Sequence, residues 1–355
     1  MTKKIISMLL IAVILLSGCS NKTIDNDEPM KPSEPTDESV PADESSGENT
    51  EPELAKYEFD PHLYLPILDD DIPQDYWDSF YNLCDALRAG ETTFVCSSEE
   101  AYKWATDPAI LNQLFPAACT KIKGVSNDGS IPFENGVGRI YYDMPIDEYV
   151  LRQKQFEDMV VYQLNTYIEP DDDDFEKCLK LFDYMSASYT YQYDFIEQLP
   201  DGSTYYTMLT NNGICFDLAS VYAYFLLQAG IEAMVVEGDA PDMSHAWDYI
   251  VIEGEGYYAD PTWTLRSAAD GEDLCLDYFL MDGDRRADYG FDLDDMTAPL
   301  LPKYWVQFSS VRFVAENDKY CLPLGSYLKS IDEENKILYY VYYGEELEFN
   351  YAQAN

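Results

Sequence analysis

The segment Asn211-Asn212-Gly213-Ile214-Cys215-Phe216-Asp217-Leu218-Ala219 opens an apolar helix with a cysteine, and this constrains the chain more than any other feature. From Phe216 onward, Leu218, Val221, Tyr222, Phe225 and Leu226 recur at helical spacing and Gly230 supplies a stop. Cys215 and Asp217 therefore fall at a helix N-terminus. A thiol reacts as thiolate, and a helix start with a nearby imidazolium lowers a cysteine pKa from about 8.5 into the range of roughly 3.5 to 7.5. Gly213 leaves room for backbone and substrate to approach, and the unpaired amides of the first turn can hold an oxyanion. Taken alone, a cysteine in this position reads more readily as a small buried residue.

Downstream, Ala233 to Val236, His245 to Ile252 and Tyr257 to Asp260 read as strands, the last two joined by a Glu253-Gly254 turn into an antiparallel hairpin. A two-residue turn pairs Ile252 with Glu255 and sets Trp247 across from Asp260. His245 and Trp247 share a face, so His245 and Asp260 become diagonal neighbours, about 7 to 8 Å apart or less at Cβ. A slip of one residue would separate them to opposite faces. The chain has two histidines, His62 and His245, and the first lies near a polar N-terminal stretch, so an imidazole base is His245. The plain alternative for Asp260 is a turn carboxylate before Pro261.

The run from Gly213-Ile214-Cys215 to Ala229-Gly230-Ile231-Glu232-Ala233, then His245-Ala246-Trp247, then Tyr258-Ala259-Asp260-Pro261-Thr262-Trp263, resembles the transglutaminase-like superfamily, a branch of the papain-like cysteine enzymes. Tyr189 to Asp194 and Asp277 to Met281 are similar to that family too, and the resemblance covers about residues 170 to 285. It implies Cys215 as nucleophile, His245 as general base and then acid, and Asp260 as the orienting carboxylate. Ser244 precedes the histidine. Asp248 stands where many members have asparagine and is expected to add negative charge beside the imidazole. The Cys215 amide is the first candidate oxyanion donor, and Tyr191, Gln192, Asn212 and Trp247 are further oxyanion or substrate candidates.

The implied reaction is acyl transfer on a peptide or protein substrate through a thioester, without cofactor. Water resolving the thioester makes a peptidase or amidase, the favoured outcome; an amine resolving it makes a cross-linking transglutaminase. A non-catalytic surface-binding protein on the same fold is the alternative from another class. Asp69 to Asp71 and Asp171 to Asp174 lack the spacing and turn glycine of an EF-hand loop, and no CxxC pair or histidine cluster suggests a metal.

Lys3, Lys4, the apolar run Ile5 to Leu16 and the ending Leu16-Ser17-Gly18-Cys19 resemble a bacterial lipoprotein signal, with Cys19 lipidated; an ordinary cleaved signal is the alternative. The expected location is extracytoplasmic, anchored to the bacterial membrane by lipid on Cys19. Residues 20 to 56 are Pro, Ser, Thr, Asp and Glu with few large apolar side chains, and read as a tether. The formal charge is −45, or −47 once Lys3 and Lys4 leave with a signal that has no Asp or Glu. Such a charge disfavours nucleic acid as a partner. It serves solubility, or a preference for cationic or neutral substrates. Setting aside Cys19 and Cys215 leaves six cysteines, an even number that an exported location permits to pair.

The expected organisation is a signal over 1–18, the lipidated cysteine and tether over 19–56, an N-terminal accessory region over 57–165, the catalytic core over 166–300 and a β-rich extension over 301–355. The expected fold class is α+β. A cysteine-bearing helix packs on an antiparallel sheet carrying His245 and Asp260, flanked by an N-terminal α/β region and a C-terminal β-rich region.

Overall fold

The Cys215–Gln228 helix is central because its sequence is apolar on every side: all residues from Asp217 to Gln228 are buried, as such a helix requires. Its start is fixed by the Asp217 carboxylate, which accepts the Ile214 amide at 3.0 Å. At its end the Ala229 amide donates to Phe225 and Leu226, and Gly230 turns away at φ +84°. Full burial of each Leu, Phe or Val here is worth about 1.5–3 kcal/mol, so Leu218→Ala, at zero exposure, would cost roughly 2–5 kcal/mol. The computed structural model describes residues 56–193, 203–241, 243–266, 273–301 and 313–353. The signal, Cys19 and all of the tether but Lys56 lie outside the described residues, as do residues 302–312 of the expected β-rich extension.

The helix packs on a four-stranded antiparallel sheet in the order Glu255–Ala259, Met243–Ile252, Glu232–Ala240, Asp292–Thr297. Glu253 and Gly254 both take positive φ, +55° and +83°, as a tight two-residue hairpin turn requires. The register runs from Ile252 with Glu255 to Asp248 with Ala259, the register that the turn predicts. The strand ends at Ala259, which leaves Asp260 free to leave the ladder and cap the short Pro261–Thr264 helix through the Thr262 amide. The fourth strand, Asp292–Thr297, was not anticipated.

The N-terminal region carries a helix, Gln74–Ala89, stopped by Gly90 at φ +70° and followed by a strand, Thr93–Val95. Two short strands flank Ile140: Val137–Arg139 pairs with Thr93–Val95, and Tyr141–Tyr142 pairs with Ile122–Lys123. This region holds the core through Gln228, whose amide group exchanges bonds of 2.9 and 2.8 Å with the Asp60 backbone. The Asp174–Ser188 helix begins in a capping box made by Asp173 and Glu176. Its buried Glu176 also accepts Lys336 Nζ at 2.7 Å and the Tyr351 hydroxyl. Those partners belong to a meander, Ser326–Asp332, Ile337–Tyr342 and Glu345–Asn350, which thereby docks on the core. Residues Glu53–Asn355 form one contact unit. Cys84, Cys96, Cys119, Cys178, Cys275 and Cys321 are all unbridged.

Candidate active site

Cys215 is the first residue of its helix and is partly exposed. Its position follows from Gly213, which packs so tightly that an added Cβ would lie 2.7 Å from the Asp217 Cβ and 2.8 Å from the Thr207 hydroxyl. The glycine serves this close approach of the turn to the helix's first turn, not an approach of substrate as the sequence suggested. The Cys215 backbone amide faces the Tyr191 hydroxyl, and burial together with the neighbouring Cys215 raises the Tyr191 pKa.

His245 is buried, with Nε2 2.8 Å from Asp260 Oδ2. Its other nitrogen, Nδ1, is buried without a nitrogen or oxygen partner among the described residues, which leaves it for the Cys215 side chain. Burial works against the charged imidazole, but Asp260 and Cys215 outweigh it and hold the His245 pKa at about 9. The ring is therefore protonated at neutral pH, with one N–H committed to Asp260. That nitrogen cannot accept from the Trp263 indole N–H, 3.2 Å away, while it donates to Asp260, so the indole donor is left to the adjoining cleft.

Asp260 has no exposed surface, and burial alone would raise its pKa. Arg286 and His245 outweigh burial and hold it below the usual carboxylate range. Oδ1 accepts the Thr262 amide at 3.1 Å, while Oδ2 accepts both His245 and Arg286 Nη2, each at 2.8 Å. Arg286, also fully buried, comes from the Gly283–Asp288 helix. Its guanidinium lies 3.5 Å from the Phe291 ring centroid and 4.4 Å from that of Trp247. Sequence reasoning missed Arg286. Its only local mark is the Arg285-Arg286 pair in an acidic chain, and nothing in the spacing ties that pair to Asp260.

The expectation for Asp248 is corrected. It lies near Tyr222 of the cysteine helix, has zero exposure, and neither carboxylate oxygen has a hydrogen-bond partner among the described residues. Burial, reinforced by the charge on Asp260, pushes its pKa well above the ordinary value. A carboxyl group in such surroundings is kept neutral, so it brings no negative charge to His245.

Beside His245 opens a cleft of about 660 Å³, lined among the described residues by Tyr191, Tyr193, Met243, Trp263, Leu265 and Arg266. Tyr193, Met243 and Trp263 are exposed, which gives the cleft an aromatic, apolar wall. Arg266 is paired with Asp183 at 2.7 Å. Of the sequence candidates, Tyr191 lies in this wall. Gln192 and Asn212 meet each other instead, with Asn212 Nδ2 donating to Gln192 Oε1 at 3.3 Å. Trp247 is wholly buried behind the imidazole, its ring centroid 6.1 Å from that of His245, and cannot touch a ligand in the cleft. Trp263, two residues past Pro261 in the third motif, was overlooked as a site residue.

Residues 162–261 match the family model of the transglutaminase-like superfamily, and the matched segment contains Cys215, His245 and Asp260. No curated protein matches the sequence. Among solved structures, the chain is similar to a Cytophaga hutchinsonii protein proposed to be a cysteine protease, at 20% identity and TM-score 0.26, over 30% of this chain and 38% of that one. It is similar to a transglutaminase at 13% identity and TM-score 0.27, over 37% of each chain. A third match is an arylamine N-acetyltransferase of Bacillus cereus, at 14% identity and TM-score 0.25, over 54% of this chain and 91% of that one. The chain thus spans well under half the length of the first two.

Proposed function

We propose, from the premise that residues 162–261 belong to the transglutaminase-like superfamily, that this protein is a cysteine enzyme that hydrolyses a peptide or amide bond by acyl transfer. The observation that carries the reading is His245, buried between Asp260 at 2.8 Å and the Cys215 side chain and bordering an open cleft.

In the proposed cycle the Cys215 thiolate attacks the substrate carbonyl carbon, and the carbonyl electron pair moves onto oxygen. The amide of Cys215 is the first candidate to receive that oxyanion, with the Tyr191 hydroxyl beside it. As the tetrahedral species collapses, the C–N bond breaks, the leaving amine takes the His245 proton, and a thioester remains. Neutral His245 then removes a proton from water, whose oxygen displaces the thiolate and releases the acid. Asp260 orients the imidazole throughout. The aromatic wall favours an apolar side chain next to the scissile carbonyl. Export and anchoring through lipid on Cys19 belong to the same proposal, and labelling cells with a fatty-acid probe, with Cys19→Ala as control, tests them.

The reaction itself is tested by incubating the protein from Lys56 onward with a glutamine-containing peptide library, with and without a labelled primary amine, and reading products by mass spectrometry. Cleavage abolished by Cys215→Ala supports hydrolysis. Amine incorporation would replace it with transamidation. Neither product, together with slow alkylation of Cys215, would leave a binding protein.

A further inference from the structure

We propose that Arg286 is a positioning residue of the reaction: its guanidinium keeps the Asp260 carboxylate charged during the step in which His245 has given up its proton. The inference rests on the acyl-transfer reading above.

Asp260 Oδ2 accepts from the imidazole and from the guanidinium at the same distance, 2.8 Å, and the carboxylate has no exposed surface. While His245 is protonated, two cations share that oxygen. Once the imidazole passes its proton to the leaving amine, water cannot reach Asp260, and Arg286 is the cation still bonded to it. Without Arg286 the carboxylate would be a lone buried charge, a costly state. Asp260 would then hold the proton on His245 and oppose its transfer to the leaving group.

The surroundings of Arg286 suit this use. Nη2 bonds Asp260, while Nε and Nη1 have no partner among the described residues. The guanidinium is held by the faces of Phe291 and Trp247 instead. A weakly hydrated, planar cation tolerates an aromatic seat that would strip an ammonium of its water. The other titratable groups around the cluster are accounted for. Asp248 is kept neutral by burial, reinforced by the charge on Asp260. Tyr258 and Tyr278 lie near Arg286, both with pKa values raised by burial, so they too are neutral. Cys215 is the remaining group on His245.

The experiment uses the folded enzyme and two readouts: the pH dependence of Cys215 alkylation by the iodoacetate anion, located on the Cys215 peptide by mass spectrometry, and turnover of a peptide substrate. In the wild type, fast alkylation by this anion, which the imidazolium attracts, should fall away on the alkaline side as His245 loses its proton near pH 9. Removing a unit charge from roughly 5 Å at an effective dielectric of about 20 shifts a pKa by about two units. Arg286→Gln should therefore move the alkaline limb upward by more than one pH unit. Its turnover should fall by at least about thirtyfold while Cys215 still alkylates. Arg286→Lys, which keeps the charge, should return the limb to within half a unit of wild type.

A limb unmoved in Arg286→Gln, with turnover lost, would make Arg286 a packing residue and overturn the inference. If the glutamine variant does not fold, Arg286→Lys decides: a wild-type limb with at least a tenth of the turnover supports the role, and a displaced limb or lost turnover overturns it. Slow wild-type alkylation that is indifferent to His245→Ala would overturn the acyl-transfer reading, and this inference with it.

Discussion

Replacing Asp248 by asparagine should stabilise the protein, and by an amount that grows with pH. In the unfolded chain this carboxyl ionises with an ordinary pKa of about 3.9. In the fold it is wholly buried without a hydrogen-bond partner among the described residues, and burial raises its pKa well above that value. Between the two pKa values the native state binds one proton more than the unfolded state. Stability therefore falls as pH rises, by about 1.4 kcal/mol per pH unit for a single proton. Each pH unit by which the native pKa exceeds the unfolded one is therefore worth about 1.4 kcal/mol, which an unfolding entropy of about 2.1 cal/mol/K per residue over the some 300 residues of the unit converts to about 2 °C in melting temperature. Asparagine has the same shape and no proton to bind, so it keeps any fixed cost of burying an unpartnered amide but loses the pH-dependent part. Denaturant melts of both proteins at pH 4.5, 5.5, 6.5 and 7.5 should give curves that diverge by about one proton's slope. Parallel curves would mean that Asp248 is ionised in the native state and would refute the account of it as a neutral side chain.

Three further outcomes follow from the same geometry. Asp260→Asn should abolish turnover and also cost about 3–5 kcal/mol, because it leaves the fully buried Arg286 without its carboxylate; Asp260→Asn/Arg286→Met should recover much of the melting temperature but none of the turnover, and a single mutant melting like wild type would contradict the ion pair. His245 binds its proton more tightly in the fold, so its stabilising contribution is complete below about pH 6.5 and is lost as pH rises through about 9; melting temperature should drop across that interval, less steeply in His245→Gln. Gly213→Ala should lose about 1–3 kcal/mol through the 2.7 Å approach to Asp217 and slow Cys215 alkylation, whereas equal stability and rate would show that the turn relaxes freely.

The parts of this molecule that were legible in its sequence are those whose causes are local. The cysteine helix announces itself by apolar spacing, the Asp217 cap and the Gly230 stop, all within sixteen residues of Cys215. The hairpin register follows from a two-residue turn, because the turn length leaves the strands no freedom to slide. What was missed depends on packing between distant segments. Asp292–Thr297 is rich in aspartate, a poor strand former, and becomes a strand because the edge of Glu232–Ala240 pairs with it. The His245 strand is covered on both faces, by the cysteine helix on one and by Phe291 and Arg286 on the other, so alternation did not mark Asp248 as buried. Arg286 reaches Asp260 from a six-residue helix whose placement only the assembled core determines.

This division also separates two uses of charge. With 67 acidic and 22 basic side chains, the molecule is surrounded by negative potential, but in physiological salt exposed charges act over only about 8 Å. Surface carboxylates can repel acidic substrates and gather cationic ones without governing protonation at a site as enclosed as Asp260. Inside the core the effective dielectric is lower, and one guanidinium at 2.8 Å outweighs many exposed aspartates farther away. The cation that balances Asp260 therefore has to be buried with it. Either a guanidinium or an ammonium supplies that charge, and arginine occupies a seat on two aromatic faces at the lower cost in lost water.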